Sequence, residues 1–376
     1  MSRLPFTKLE SGPKLHSEVG FVLFICSQAW IGKLNYRRQR KSGLFRFTYQ
    51  LSPMIVTVIL CTYNRAGSVG TALESVIASA LASHMDWELL AVDNNSRDRT
   101  REVINEFCLR HPGRVRYIFE AQQGLSNARN AGICAAQGGI LAFVDDDVTV
   151  ETAWLDNLTA SLRDGQGAGC GGRILPPKDF SPPPWLALRG PWSQGGALCA
   201  LFDMGDTAAQ LKEEPPYGAN MAFRKEMFEK YGVFRTDLGR CGDNLMSNED
   251  TEFGRRLLAA GERLRYEPRA VVYHSISAER LNKRYFRAWW FAYGRARIRE
   301  KQPPARVWGI PRFYFSLPNI ALRLLLPQVV RSLLARDPEE RFGRQCTASR
   351  MAGTMAEIWK LRNRGNNQSV ATLSKT

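Results

Sequence analysis

"GILAFVDDDV", residues 139–148, joins a run of six small or apolar residues to three consecutive aspartates, Asp145, Asp146 and Asp147. The run has the length and the aliphatic and aromatic content of a buried strand. Adjacent carboxylates repel one another, so three at the end of such a strand need a cation, or water, to hold them. In a chain of formal net charge +16 this is the feature to explain first.

Upstream, short β-branched runs alternate with longer helical stretches. "IVTVILC" (55–61), "WELLAVD" (87–93) and "RVRYIFE" (114–120) read as strands, and residues 68–81, 97–111 and 124–138 as helices, the second closed by Pro112-Gly113. This alternation predicts an α/β, Rossmann-like, mostly parallel sheet with helices on both faces. Ligands of such sheets bind outside the carboxyl ends of the strands, where Asp93 and the acidic triplet both fall. Downstream, a helix near 151–163 precedes residues 174–216, a stretch rich in Pro and Gly that reads as a long functional loop. "YGANMAFRKEMFEKYG" (217–232) reads as a strand running into a helix. "SNEDTEFGRRLLAAG" (247–261) reads as a helix started at Asn248 and stopped at Gly261, and "RLRYEPRAVVYHS" as two short strands, the second ending at His274.

Composition bounds the class. With 376 residues, 44% hydrophobic and 23% charged, the chain has ordinary globular usage and ample material for a core, which argues against disorder. Residues 1–53 carry 9 basic and 2 acidic side chains and residues 276–376 carry 20 and 6, against 23 and 28 in the middle. Basic flanks around an acidic middle imply that the ends meet a polyanionic surface while the middle does chemistry. The eight cysteines are scattered, with no C-x-x-C pair, and read as reduced cytosolic thiols rather than a disulfide framework or zinc site. The apolar patch at 19–32 is shorter than the roughly 20 residues that span a bilayer. Met54 opens the first strand, so residues 1–53 are either an extension of unassigned structure or lie ahead of the true start.

The tail differs again. Residues 279–300 interleave Arg and Lys with Tyr285, Phe286, Trp289, Trp290, Phe291 and Tyr293. In 321–335 the residues Leu322, Leu325, Leu326, Val329, Val330, Leu333 and Leu334 form a helical stripe opposite Arg323 and Arg331, and Pro327 is expected to kink that helix. Such a stripe either lies in a membrane surface or packs on the main domain.

Each constellation has two readings. Asp145 and Asp147, two apart after a strand, can share one hard divalent cation, Mn or Mg, bridged to a diphosphate; equally, Asp clusters cap helices. Asp93 in "VDNNSRDRT" can accept a hydrogen bond from a nucleobase or ribose, or simply shape a turn. Arg129 can face an anionic ligand or be solvated. Glu249 and Asp250 suit a helix amino terminus, where the dipole favours anions, and a carboxylate kept ionised there can act as a general base. His274 is a third metal ligand or a packed strand-end residue. No phosphate-binding G-x-x-x-x-G-K-[ST] loop and no G-x-G-x-x-G fingerprint follows a strand, which argues against P-loop and nicotinamide chemistry.

In order along residues 54–275, "TVILCTYNR", "VDNNSRDRT", "GLSNARNAG", "AFVDDDV", "GANMAFRKE" and "NEDTEFGRRLLAAG" resemble the family 2 glycosyltransferases of the GT-A fold. The resemblance implies a GT-A domain at 54–275, an N-terminal extension at 1–53 and a basic helical region at 276–376. It implies that Asp93 contacts the base, that Thr62, Tyr63 and Arg65 line its pocket, and that Arg129 and Asp146 face the sugar nucleotide. Asp145 and Asp147 match the family's D-x-D pair on the metal, with His274 beside it, and Asp250 matches the general base, flanked by Glu249. The implied reaction is a single inverting displacement from a nucleotide-sugar, a UDP-sugar first among donors, to a lipid-linked or saccharide acceptor. The enzyme is expected in the cytoplasm, peripheral on the inner, anionic face of the cell membrane, with no nucleic-acid partner. The competing readings are a sugar-nucleotide nucleotidyltransferase, an inactive sugar-nucleotide-binding relative, and a nucleic-acid binder built on the tail.

Overall fold

The computed structural model describes residues 56–373 apart from 84, 243, 302–305, 308–309 and 312–316, so the expected extension at 1–53 lies outside the described residues. Strand β1 (Val56–Thr62) is buried along its whole length, as is β2 (Trp87–Asp93) beside it. Their near-continuous apolar sequence reflects cover on both faces. Helices α1 (Val69–Ala82), α2 (Thr100–Arg110) and α3 (Leu125–Ala135) alternate with β1, β2, β3 (Val115–Phe119) and β4 (Ile140–Asp145). These four strands are parallel in the order β3-β2-β1-β4.

Beyond β4 the sheet becomes mixed. After β5 (Val148–Val150) and α4 (Trp154–Arg163) come β6 (Gly169–Leu175), α5 (Gly195–Cys199), β7 (Ala209–Leu211), β8 (Asn220–Arg224), α6 (Lys225–Tyr231), α7 (Glu249–Ala259) and β9 (Leu264–His274). β8 runs antiparallel to both β4 and β6, and β9 pairs parallel with β6 and antiparallel with β5 and β7. The expected parallel sheet is thus realised in the first four strands, while the second half adds antiparallel pairings between strands distant in sequence. "RLRYEPRAVVYHS", read as two strands, is one: a bulge opposite Gly172 and Arg173 absorbs its Pro268 without breaking the pairing.

The Pro-rich stretch and the tail fold on each other. Trp185 sets its edge against Phe286 of α8 (Lys283–Glu300) and Phe342 of α11 (Pro338–Leu373), with centroids 5.6 and 4.8 Å apart. Leu186, Leu198, Cys199 and Cys346 complete this second core. Helices α8 and α11 cross where both carry glycine. A Cβ at Gly294 would overlap the Arg350 carbonyl and one at Gly353 the Phe291 carbonyl, so the backbones touch directly. Arg295 and Arg299 both pair at 2.8 Å with Glu357, which is buried.

The amphipathic stripe behaves differently. After the short α9 (Leu317–Asn319), a π-helical stretch, Ile320–Leu325, runs without a break into α10 (Leu326–Leu334), so Pro327 follows a widened turn in which the Leu326 N–H reaches back to the Ala321 carbonyl. Leu322, Leu324, Leu326, Val329, Val330, Leu333 and Leu334 are all exposed. The tail therefore divides: α8 and α11 pack on the domain, and α10 presents its apolar face outward. No helix among the described residues is long and apolar enough to cross a membrane.

Candidate active site

The register brings the functional ends together. Cys61 pairs with Asp145 and Thr62 with Asp93, so three neighbouring strands end at one edge. Asp146 and Asp147 form the two-residue turn between β4 and β5 rather than the entry to a helix. β5 then pairs with the end of β9, setting Val148 opposite His274, and Ser275 donates its N–H to the Asp147 carbonyl at 2.8 Å. A residue 127 positions away in sequence is thereby placed beside the triplet by strand register alone.

A cleft of about 330 Å³ opens here, lined by Thr62, Tyr63, Arg65, Arg129, Asp145, Asp146, Asp147, Glu249, Asp250 and His274. Asp145, Asp147 and His274 each offer a ligand atom within 4.8 Å of the others. His274 Nδ1 lies 2.9 Å from the Ser275 carbonyl and donates its N–H there, so Nε2, 3.4 Å from Asp147, is the ring nitrogen turned toward the acidic pair. Two carboxylates and one such imidazole fit a Mn²⁺ or Mg²⁺ ion. Arg280 and Arg65 also approach Asp147, at 3.2 and 3.7 Å, and Arg65 approaches Asp146 at 3.7 Å. Burial opposes the charge on Asp147, but His274, Arg280 and Arg65 outweigh it and hold its pKa down. Burial, and next the charge of Asp147, push Asp146 up to about 7.

The two acids of "NED" differ in surroundings. Asn248 adopts a left-handed φ of 80° and turns the chain into α7. Asp250 then accepts N–H bonds from Gly218 (2.7 Å) and from its neighbour Thr251 (2.6 Å), and its carboxylate borders the cleft. Glu249 is buried and bound by Arg129 Nη1 at 2.6 Å. Burial and the adjacent Asp250 push Glu249 up to about 7 against the pull of Arg129.

Arg129, expected to face the nucleotide, is only 3% exposed and reaches Asp145 with its second nitrogen at 3.2 Å. It ties the metal side of the cleft to the start of α7. Gly218 makes room for it, since a Cβ there would collide with the guanidinium. Arg129→Met leaves two acids facing one another in a buried site, and is expected to lower stability by about 3–5 kcal/mol. The urea midpoint checks this, and an unchanged midpoint would dispose of the tie.

Asp93 is not brought into the cleft. It is 2% exposed, and its oxygens accept from the Ser96 N–H (3.0 Å) and the Tyr117 hydroxyl (2.9 Å). Its neighbour Asn94 lines the cleft instead. Sequence reading missed Arg240, Arg280, Tyr217, Trp289 and Tyr293, all of which line it. Nothing in their spacing signals this. Arg280, six residues after His274 in "HSISAER", offers the nearest local hint.

Residues 57–232 match the family described as Glycosyl transferase family 2. Among curated proteins, the glucosyl-dolichyl phosphate glucuronosyltransferase of Haloferax volcanii is 26% identical over 251 residues, covering 64% of this chain and 76% of the relative. The succinoglycan biosynthesis protein ExoM of Rhizobium meliloti is 25% identical over 239 residues, covering 62% and 72%. Among solved structures, the mannosyltransferase PcManGT from Pyrobaculum calidifontis, in complex with GDP-Man and Mn²⁺, aligns with a TM-score of 0.55 at 18% identity over 82% of this chain and 88% of that one. That likeness is one of fold, and the expected GT-A architecture is met.

Proposed function

Through residues 57–232 the chain belongs to glycosyl transferase family 2 and is a glycosyltransferase, and from that premise we propose an inverting, divalent-metal-dependent transfer of a sugar from a nucleotide-sugar to an acceptor hydroxyl. One observation carries the reading: the metal-ligand set Asp145, Asp147 and His274 and the open carboxylate of Asp250 border the same cleft. Bound there, Mn²⁺ or Mg²⁺ supplies positive charge against the departing diphosphate. Arg65, Arg240 and Arg280 add fixed positive charge on that side. Thr62 and Tyr63 border the nucleoside, and Asp93 serves it by holding the Asn94–Ser96 turn. Asp146 shares the charge of the triplet next to the sugar nucleotide.

Asp250 takes the proton from the acceptor hydroxyl as its oxygen attacks the anomeric carbon from the side opposite the diphosphate. One C–O bond forms as the other breaks, so the configuration inverts and no covalent enzyme intermediate is needed. Glu249, engaged by Arg129, positions rather than reacts. Nucleotide release from a panel of UDP-, GDP- and dTDP-sugars, with UDP-sugars tried first, is expected with Mn²⁺ or Mg²⁺ and not with EDTA. Release indifferent to EDTA would defeat the metal assignment, and no calorimetric binding of any of the nucleotides would defeat the donor assignment.

The acceptor proposed is lipid-linked or a growing polysaccharide, a reading supported by the dolichyl phosphate and the succinoglycan in the relatives' names. We assign 54–275 the catalytic carboxylates and metal ligands, and 276–376 a second role, holding the enzyme on the anionic cytoplasmic face of the membrane while Arg280 and α8 complete the cleft. The support is the exposed apolar face of α10 and the basic excess of the tail. Burying one leucine there is worth about 1.5–3 kcal/mol, and each Lys or Arg near anionic lipid adds about 1 kcal/mol. Deleting the tail would open the second core, so point changes are the sounder test. Leu326→Glu with Leu333→Glu is expected to cut binding to phosphatidylserine vesicles by about 100-fold or more, at about 1.4 kcal/mol per tenfold. Equal sedimentation of variant and wild type would refute α10 as the contact.

A further inference from the structure

Besides the carboxylates, His274 and the arginines, the cleft is lined by parts of α8, α5 and the segment before β8. From α8 come Trp289 and Tyr293, four residues apart and so on one face of the helix, which stack with centroids 5.3 Å apart and planes 13° from parallel. Trp290 braces both rings edge-on at 5.1 and 5.4 Å, and its Nε1–H donates to Gln194 Oε1 at 2.5 Å. Phe286, on the same helix, is sealed in the second core; Trp289 packs partly against that core, and it and Tyr293 are left half-buried at the cleft. Large rings held rigid but open inside a polar cleft are poised for a ligand with an apolar face.

We infer that Trp289 and Tyr293 form a stacking platform for a sugar ring of the acceptor, beside the Asp250 base. This rests on the glycosyltransferase reading above. A pyranose presents a flat C–H face to an aromatic ring and a rim of hydroxyls around it. The rim has acceptors at hand: Tyr217 donates its hydroxyl to Glu214, both line the cleft, and burial, then Glu214, Tyr293 and Asp250 nearby, push the Tyr217 phenol upward. Tyr217 thus lines the same cleft as the two rings and the base, and its neighbour Gly218 donates its N–H to Asp250 at 2.7 Å. A polyprenyl chain gains nothing from Glu214 and Asp250, which favours the sugar over the lipid as occupant.

The test uses the full chain with Mn²⁺ and UDP or GDP, and octyl glucoside, mannoside and galactoside below micelle concentration as probes. Saturation-transfer NMR is expected to mark pyranose ring protons of at least one glycoside. Trp289→Ala and Tyr293→Ala should each weaken that glycoside at least tenfold, Trp289→Phe should restore most of it, and the nucleotide dissociation constant should stay at the wild-type value. Saturation confined to the octyl chain, no ring signal from any of the three, or a loss of nucleotide affinity in the ring variants would overturn the platform. Trp289→Leu, which keeps apolar bulk and removes the aromatic face, keeps the test decisive if an Ala variant does not fold: glycoside binding at the wild-type level there would overturn the platform. Wild type that binds a glycoside but no nucleotide would put the failure on the donor reading and leave the platform standing.

Discussion

Asp250→Asn is expected to cut sugar transfer by about 10²–10⁴-fold, the range spanned by loss of a positioned general base, while metal-dependent nucleotide binding persists. The substitution keeps the shape of the side chain. It retains one carboxyl-like oxygen for the Gly218 N–H at 2.7 Å, and forfeits the bond from Thr251, at a stability cost of about 0.5–1.5 kcal/mol. What it removes is the lone pair that accepts the acceptor's proton. Single-turnover transfer alongside nucleotide calorimetry separates the two effects. Residual transfer within tenfold of wild type would move the base elsewhere, and Glu249 is a poor candidate because Arg129 already occupies it.

The parts of this enzyme that were legible in its sequence are those written in local periodicity. Runs such as "WELLAVD", short and mostly apolar, read as strands covered on both faces, and their alternation with helices pointed to the parallel half of the sheet. The ends of those strands then placed Asp145 and Asp147 at a ligand edge. The rest depended on distant pairings that leave no local trace. His274 reaches Asp147 because β5 pairs with β9, and no spacing between 147 and 274 encodes that register. Arg129 looks like any amphipathic helical arginine, yet the glycine at 218 and the carboxylates of Asp145 and Glu249 draw it into the interior. Trp185, Phe286 and Phe342 meet in one core though they lie in three separate segments. The Pro-rich stretch was readable as irregular, but not as the partner of α8. Asp93 is the converse case: its strand-end position is plain in the sequence, but the bonds from Tyr117 and Ser96 that hold it inward are not.

Asp147→Asn is expected to weaken Mn²⁺ binding by at least about 100-fold and to remove metal-dependent turnover with it. Loss of a partner that merely orients a metal ligand costs about 10–100-fold in affinity or activity, so loss of a charged ligand oxygen sets the upper end of that range as a floor. The protein should remain folded. Asp147 is held ionised by His274, Arg280 and Arg65 against its burial, but Arg65 keeps Asp146 as a partner and Arg280 borders the open cleft. Asp146 supplies an independent check. Burial, and next the charge of Asp147, raise its pKa to about 7 from an ordinary 3.8. The stability it contributes is therefore full below pH 3.8 and is lost as pH rises through about 7. Metal entering beside it favours the ionised form, so binding near pH 6.5 should release a proton, and affinity should rise between pH 6 and 8. In Asp147→Asn the second-largest cause of that raised pKa is gone, so the pH dependence should flatten as the affinity falls. Calorimetry in buffers of differing ionisation enthalpy reads both quantities at once. A variant that binds Mn²⁺ as tightly as wild type, or releases protons identically, would take Asp147 out of the metal site.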